Sequence, residues 1–279
     1  MTSTTPNPAH VAAAPPAYQL PQRVTQARVL RSEWTKLRTQ PSTFWALLAT
    51  MIMIAGFGIL YSLVRETRPP HGAAIASFDP AAVSLSGVQL AQIAVGVLGV
   101  LLVTSEYATG LIRTTLAAVP RRLPVLWGKA VLVAAATVAA SLPAVFVAFL
   151  GGQSILARQH LSVPLSQPGV VRAVIGSALY LAVAALIGLG LGALLRSTAG
   201  GIAALFGLLF GVQLAAGFLP GSWAADVGKY TPTTAGQAVS LVHPDPASSL
   251  PPWTGFGVFC GYAAVLLVLA ALRMRRGDV

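Results

Sequence analysis

The chain has 279 residues, of which 55% are hydrophobic and only 9% are charged, and its mean hydropathy is +0.74. A water-soluble domain carries about 25% charged residues, so this composition excludes an ordinary cytosolic globule. It also excludes a disulfide-stapled secreted domain, because the chain has one cysteine, and a disordered chain, because it is too apolar. The 18 basic and 7 acidic residues give a net charge of +11. We attribute this excess to the cytoplasmic loops of a membrane protein and predict no nucleic-acid partner.

Residues 1–22 form the first segment, which contains five prolines and no Asp, Glu, Lys or Arg. This composition predicts a disordered tail. Apolar residues then recur at helical spacing over 23–38, and basic residues fill most of the remaining surface. The pattern predicts an amphipathic helix that lies in the membrane interface. Its interfacial residues are Arg31, Glu33, Trp34 and Lys36. A solvated helix that only anchors the chain is the alternative.

Six uncharged stretches follow, each of 20 to 23 residues. An α-helix needs about 20 apolar residues to cross the hydrocarbon core of a membrane. The stretches are 44–64, 83–103, 130–150, 173–195, 199–219 and 253–272. The fold class is therefore an all-α membrane protein with six transmembrane helices, in one domain over 23–276.

The basic residues predict the orientation of these helices. With both termini in the cytoplasm, thirteen Lys and Arg residues lie inside and five outside. The positive-inside rule favours this arrangement. The inside residues are Arg23, Arg28, Arg31, Lys36, Arg38, Arg113, Arg121, Arg122, Lys129, Arg196, Arg273, Arg275 and Arg276.

A search for catalytic groups gives a negative result. None of the four histidines lies in a predicted span, no pair of them has the spacing of metal ligands, and no lysine completes a P-loop. We predict no catalytic residue, no metal and no cofactor on this chain, which is therefore not expected to be an enzyme. If ATP is used, a separate chain must bind it.

The segment between the second and third spans is the most informative. Residues 105–119 can form a short helix with an apolar stripe, and Pro120 would end it. In the predicted topology this helix faces the cytoplasm, where it suits docking of a soluble partner. An ordinary connecting loop is the alternative interpretation.

The sequence EYATGLIRTTL at 106–116, followed by Pro120-Arg121-Arg122 and Lys129, resembles the cytosolic loop of ABC-2-type transporter permeases, especially actinobacterial ones. The sequence RSEWTKLR at 31–38 resembles the start of the same permeases, before their first span. With six spans, the resemblance covers nearly the whole chain.

This resemblance implies an exporter of the ABC-2, or type V, kind in the bacterial plasma membrane. Two copies of a separate ATPase subunit would bind ATP and Mg, and a second permease subunit would complete a homodimer or heterodimer. Residues 105–119 would be the coupling helix. Its docking residues would be Glu106, Gly110, Arg113, Leu116, Arg121 and Arg122. Reversing the charge of Glu106 or Arg113 is then expected to weaken ATPase association while leaving membrane insertion intact.

Two polar features remain. Gln89, Gln92 and Gln213 lie within spans and either line a substrate path or form interhelical hydrogen bonds, which we favour. The long loop at 220–252 lies outside in the predicted topology. The resemblance to ABC-2-type permeases implies short re-entrant helices at this place, and residues 231–242 could form one with Thr233 or Thr234 as its cap. An unstructured outer loop is the alternative.

Three rival functions remain open. An ATP-independent transporter or channel and a membrane enzyme are disfavoured, because acidic and other catalytic groups are missing from the predicted spans. A permease-like subunit that serves assembly or immunity without transport fits the sequence as well as an exporter does.

Overall fold

The computed structural model describes residues 26–68, 70, 78–108, 123–220 and 222–276. The predicted tail at 1–22 and residues 109–119 of the predicted coupling helix lie outside these described residues.

Helices account for the regular structure of the described part of the chain, and no strand occurs there. In chain order they are α1 (Gln26–Thr39), α2 (Pro41–Thr67), α3 (Pro80–Ser84), α4 (Gly87–Ala108), α5 (Leu123–Leu156), α6 (Val170–Leu195), α7 (Thr198–Gly217), α8 (Ser222–Gly228), α9 (Pro232–Gln237) and α10 (Pro252–Arg276).

Six of these helices are long and apolar enough to cross a membrane: α2, α4, α5, α6, α7 and α10. The predicted all-helical class and the number of candidate spans are therefore confirmed within the described ranges. The helix α5 begins at Leu123 instead of 130, so Lys129 lies inside the helix instead of preceding it.

Proline and cap residues decide several boundaries. Gln40 has an extended backbone between α1 and α2, because the residue before a proline avoids the helical region, and Pro41 then occupies the first turn of α2. The predicted second span at 83–103 begins instead at Gly87. The residues before it form the separate helix α3, whose cap Asp79 accepts hydrogen bonds from the amides of Ala81 and Ala82 at 2.9 and 3.1 Å.

The helices α4 and α6 form the centre of the bundle. In the most apolar 18-residue stretches of α4 and α6, 67% and 78% of the residues are buried. The corresponding value is 22% in both α2 and α7. Glycine allows the close contact between the two central helices. A Cβ atom on Gly188 would overlap the carbonyl group of Gly96, and one on Gly99 would overlap that of Ala185. Glycine at position 188 therefore lets α6 pack directly against the backbone of α4.

The GxxxG sequence at 207–211 in α7 has a different environment. Gly207 and Gly211 bound a π-helical turn within α7, and a Cβ atom on either would meet no other described atom within 4 Å. These glycines thus make no close helix contact within the described chain.

The loop at 220–252 contains two short helices, α8 and α9. Thr231, with φ −61° and ψ 147°, is the N-cap of α9, and Thr233 and Thr234 lie in its first turn. The prediction that Thr233 or Thr234 is the cap is wrong, because Pro232 takes the first helical position and so makes the preceding residue the cap. The helix ends at Gln237 and a 3₁₀ turn follows at Ala238–Ser240.

Candidate functional site

Four charged side chains meet at one end of the bundle, and we call them the ion cluster: Glu33, Lys36, Glu106 and Lys129. The Nζ atom of Lys129 donates to Oε2 of Glu33 at 2.7 Å and to Oε1 of Glu106 at 2.8 Å. The Nζ atom of Lys36 donates to Oε1 of Glu33 at 2.8 Å and to Oε1 of Glu106 at 3.0 Å. Each lysine therefore bridges both carboxylates.

The ion cluster is mostly buried and has no net formal charge. The side chains of Glu33, Glu106 and Lys129 are 4%, 9% and 8% exposed, whereas that of Lys36 is 43% exposed. Removing four charges from water is costly unless each one has opposite charges as neighbours. The alternation of two acids and two bases meets this condition.

The pKa of Lys36 reflects its two partners. Burial by itself lowers this pKa, but the hydrogen bonds and charges of Glu33 and Glu106 outweigh that effect and raise it above the ordinary value of 10.5. Lys36 is therefore protonated at neutral pH.

Three helices supply the ion cluster. Glu33 and Lys36 lie three residues apart on one face of α1, Glu106 lies in the last turn of α4, and Lys129 lies in the second turn of α5. Leu37 packs against the hydrophobic core beside them. The ion cluster thus joins α1 to the two helices that flank residues 109–122.

The space beside the ion cluster is too small for a substrate. Its cavity measures about 20 Å³ and is lined by the four charged residues together with Leu37 and Leu102. This volume is close to that of one water molecule. The residues are therefore arranged to hold helices together and leave no room for a substrate.

A second set of contacts holds the end of α4. The guanidinium carbon of Arg196 lies 5.5 Å from the centre of the Tyr107 ring, which is a cation–π distance. The hydroxyl of Thr198 donates to that of Thr104 at 2.9 Å. The turn between α6 and α7 therefore also contacts α4 next to Glu106.

The residues predicted for docking and for the interface divide into three groups. Glu106 belongs to the ion cluster. Glu33 and Lys36 belong to it as well, whereas Arg31 and Trp34 are exposed on the other side of α1. The remaining predicted docking residues lie outside the described residues: Gly110, Arg113, Leu116, Arg121 and Arg122.

Sequence reasoning missed Lys129 as a site residue: it counted Lys129 toward the orientation of the spans and in the loop motif, but gave its side chain no partner. A signal was available, since Glu106 and Lys129 have opposite charges and flank the same connection between two antiparallel spans. The contact between Lys129 and Glu33 in α1 could not be predicted in this way, because the two residues are 96 positions apart in the sequence.

The three glutamines predicted within spans all bond to neighbouring elements. Gln92 is fully buried and accepts a hydrogen bond from the hydroxyl of Tyr180 in α6. The amide of Gln89 donates to Oε1 of Gln237 in α9 at 3.1 Å. Oε1 of Gln213 accepts from Thr231 at 2.8 Å and from Thr234 at 2.9 Å. All three side chains therefore form hydrogen bonds to another element, as the favoured interpretation predicts, and the substrate path stays a prediction.

Comparison with known proteins does not assign the chain to a family: no protein-family model matches it, and no curated protein matches it significantly.

Proposed function

We propose that this chain is the permease subunit of an ATP-binding cassette exporter, which moves a substrate out of the cytoplasm with energy from a separate ATPase. Two ATPase subunits carrying ATP and Mg and a second permease subunit complete the transporter. The chain lies in a bacterial plasma membrane with both termini in the cytoplasm. The motifs at 31–38 and 106–116 and the six apolar helices support this proposal.

The observation that carries the proposal is the ion cluster. A segment that receives force from an ATPase needs rigid connections to the membrane helices. Glu106 and Lys129 lie close to the two ends of residues 109–122, and they bond to each other and to α1. A displacement of this segment is therefore transmitted to α1, α4 and α5 together.

The transport step follows from this connection. ATP binding closes the ATPase dimer, the coupling helix moves with it, and the ion cluster carries α1, α4 and α5 along as one unit. ATP shifts the permease between two conformations only because the closed ATPase dimer binds one of them better. The permease contributes no hydrolytic chemistry.

Co-purification from native membranes tests the proposal. The tagged full-length chain is extracted in a mild detergent, and the proteins that elute with it are identified by mass spectrometry. We expect a stoichiometric soluble chain with a P-loop and ATP hydrolysis in the eluate. A chain that elutes without such an ATPase, even after cross-linking through residues 105–122, would favour an ATP-independent transporter instead.

Charge reversal at Arg113 tests the docking segment. Arg113→Glu is expected to weaken ATPase association. Arg68→Glu reverses the charge of an exposed residue at the C-terminal end of α2 and is expected to leave the association unchanged. Equal association in the two variants would remove the docking role of the segment. Glu106 is less suitable for this test, because it is buried between Lys36 and Lys129 and its reversal would disrupt packing.

A further inference from the structure

A cleft opens at the end of the bundle opposite the ion cluster, and we call it the α2–α4 cleft. Its volume is about 610 Å³, and the residues that matter here are Phe57, Tyr61, Arg65, Asp79, Ser86 and Gln89. Ligand pockets typically span about 300–1,000 Å³, so the cleft has room for a head group and part of an acyl chain.

One wall of the cleft is continuous with the apolar outer surface of α2. Phe57 and Tyr61 line the cleft and are 46% and 37% exposed. Leu60 and Val64 on the same helix are exposed as well. Since α2 has the composition of a membrane span, this surface faces lipid, and a chain from the bilayer can lie along it.

Two opposite charges line the cleft without pairing with each other. Arg65 lies in the last turn of α2 and Asp79 caps α3. No ion pair joins them, although both belong to the described residues. A basic residue in the last turn of a span lies at the level of the lipid head groups.

Two hydrogen-bond donors among the residues that line the cleft have no partner among the described residues. One terminal nitrogen of Arg65 donates to the Tyr61 hydroxyl at 2.6 Å, and the guanidinium carbon lies 5.1 Å from the centre of that ring. The Nε atom of Arg65 and the hydroxyl of Ser86 are buried and have no hydrogen-bond partner among the described residues. Both groups are donors, which suits a phosphate.

We propose that the α2–α4 cleft binds a zwitterionic phospholipid from the bilayer. Its phosphate contacts Arg65 and Ser86, its amine contacts Asp79, and an acyl chain lies along Phe57 and Tyr61. An anionic phospholipid fits less well, because it offers no cation to Asp79. The site does not depend on the proposed exporter function, since it involves neither the ion cluster nor the coupling segment.

Native mass spectrometry of the full-length chain tests this site. The protein, purified in detergent, is titrated with phosphatidylethanolamine or with phosphatidylglycerol of the same acyl chains. We expect one phosphatidylethanolamine to bind at least about tenfold more tightly than phosphatidylglycerol, the ratio expected for one charge-assisted contact. Equal binding of the two lipids would overturn the proposal.

Three variants locate the binding. Arg65→Gln removes the cation, and Ala82→Phe fills the cleft while leaving both charges in place; each is expected to weaken phosphatidylethanolamine binding about tenfold. Arg68→Gln is the matched control, because Arg68 is exposed, lies three residues from Arg65 and does not line the cleft.

Unchanged binding in both Arg65→Gln and Ala82→Phe would overturn the site, and so would an equal loss in Arg68→Gln, which would indicate general surface charge. Elution and thermal stability like those of the Arg68→Gln control show that a variant is folded. If Arg65→Gln fails this criterion, Ala82→Phe alone decides.

Discussion

At the scale of single residues, Lys129 holds the ion cluster together. It is the more buried of the two lysines and contacts both carboxylates at under 3 Å. Breaking a buried ion pair by removing one partner is strongly destabilising, because the remaining charge stays buried without compensation. Because removing one charge leaves its partners uncompensated, the ion cluster can be tested one side chain at a time.

Lys129→Met is expected to lower the free energy of unfolding by about 3–5 kcal/mol, since it leaves Glu33 and Glu106 with one shared cation. Denaturant titration of the purified protein in detergent measures the change. Adding Glu106→Gln to Lys129→Met should recover part of the loss, because the cluster is then neutral again.

The control for this experiment is Lys229→Met. Lys229 pairs with the exposed Asp226 at 3.5 Å, at the other end of the bundle, so its loss should change stability little. An equal effect at positions 129 and 229 would contradict the structural role of the ion cluster.

Lys36 gives the ion cluster a pH dependence at alkaline pH. Its pKa is raised in the folded protein, so its contribution to stability is complete below the unfolded value of 10.5 and is lost as the pH rises through the higher folded value. We therefore expect the stability difference between wild type and Lys36→Gln to be constant from neutral pH to about 10.5 and to shrink above it.

Thermal unfolding at a series of pH values measures this difference. Lys36→Arg is the matched variant, because arginine keeps its charge at these pH values. A difference between wild type and Lys36→Gln that already shrinks between pH 7 and 9 would show that another group controls it.

At the scale of helices, the contact between α4 and α6 determines the arrangement of the bundle. Gly188 faces the backbone of Gly96, and Gly192 faces that of Val100. On its other side α6 meets α10, where Gly190 lies against Leu266. One helix with small residues on two faces can thus approach two neighbours closely, which explains why α6 is the most buried of the six candidate spans.

Gly188→Ala is expected to destabilise the protein by about 1–3 kcal/mol, since its Cβ atom has no space against the Gly96 carbonyl group. Gly261→Ala is the control: Gly261 lies within the helix α10, and its Cβ atom would meet nothing within 4 Å. Thermal unfolding of the two variants makes the comparison, and a Gly188→Ala protein as stable as Gly261→Ala would show that the two helices separate easily.

At the scale of the whole molecule, the two ends of the bundle differ in chemistry. The ion cluster, Arg196 and the basic end of α10 lie at one end. The opposite end carries Arg65, Asp79 and the short helices α8 and α9. The excess of basic residues at the first end supports the proposed orientation, in which this end faces the cytoplasm.

Cysteine accessibility tests this orientation. In a Cys260→Ala background, Ala247→Cys is expected to react with a membrane-impermeant maleimide on intact cells, because Ala247 is exposed between α9 and α10. Thr39→Cys, exposed at the end of α1, is expected to react only after the membrane is opened. The reverse pattern would invert the topology and remove the cytoplasmic position of the coupling segment.

The six candidate spans were predictable because a span is a local property. Each requires only a run of about 20 apolar residues, and the uncharged run at 173–195 matches α6 closely. The ends of the helices were less predictable where the sequence analysis ended a span at a charged residue. The helix α5 extends past Lys129 toward Leu123, since a charged residue can remain in a helix when another helix neutralises it.

The amino-acid sequence by itself determined that the chain forms apolar helices, how many of them can cross a membrane, and which side chains carry charge. Only the tertiary structure decided which charges meet: Glu33, Glu106 and Lys129 come from three helices, and their pairing depends on how α1 packs against α4 and α5. The same holds for Arg65 and Asp79, which line one cleft without forming an ion pair. The hydropathy of a span depends only on consecutive residues, whereas the pairing of charges depends on distances between residues that are far apart in the sequence.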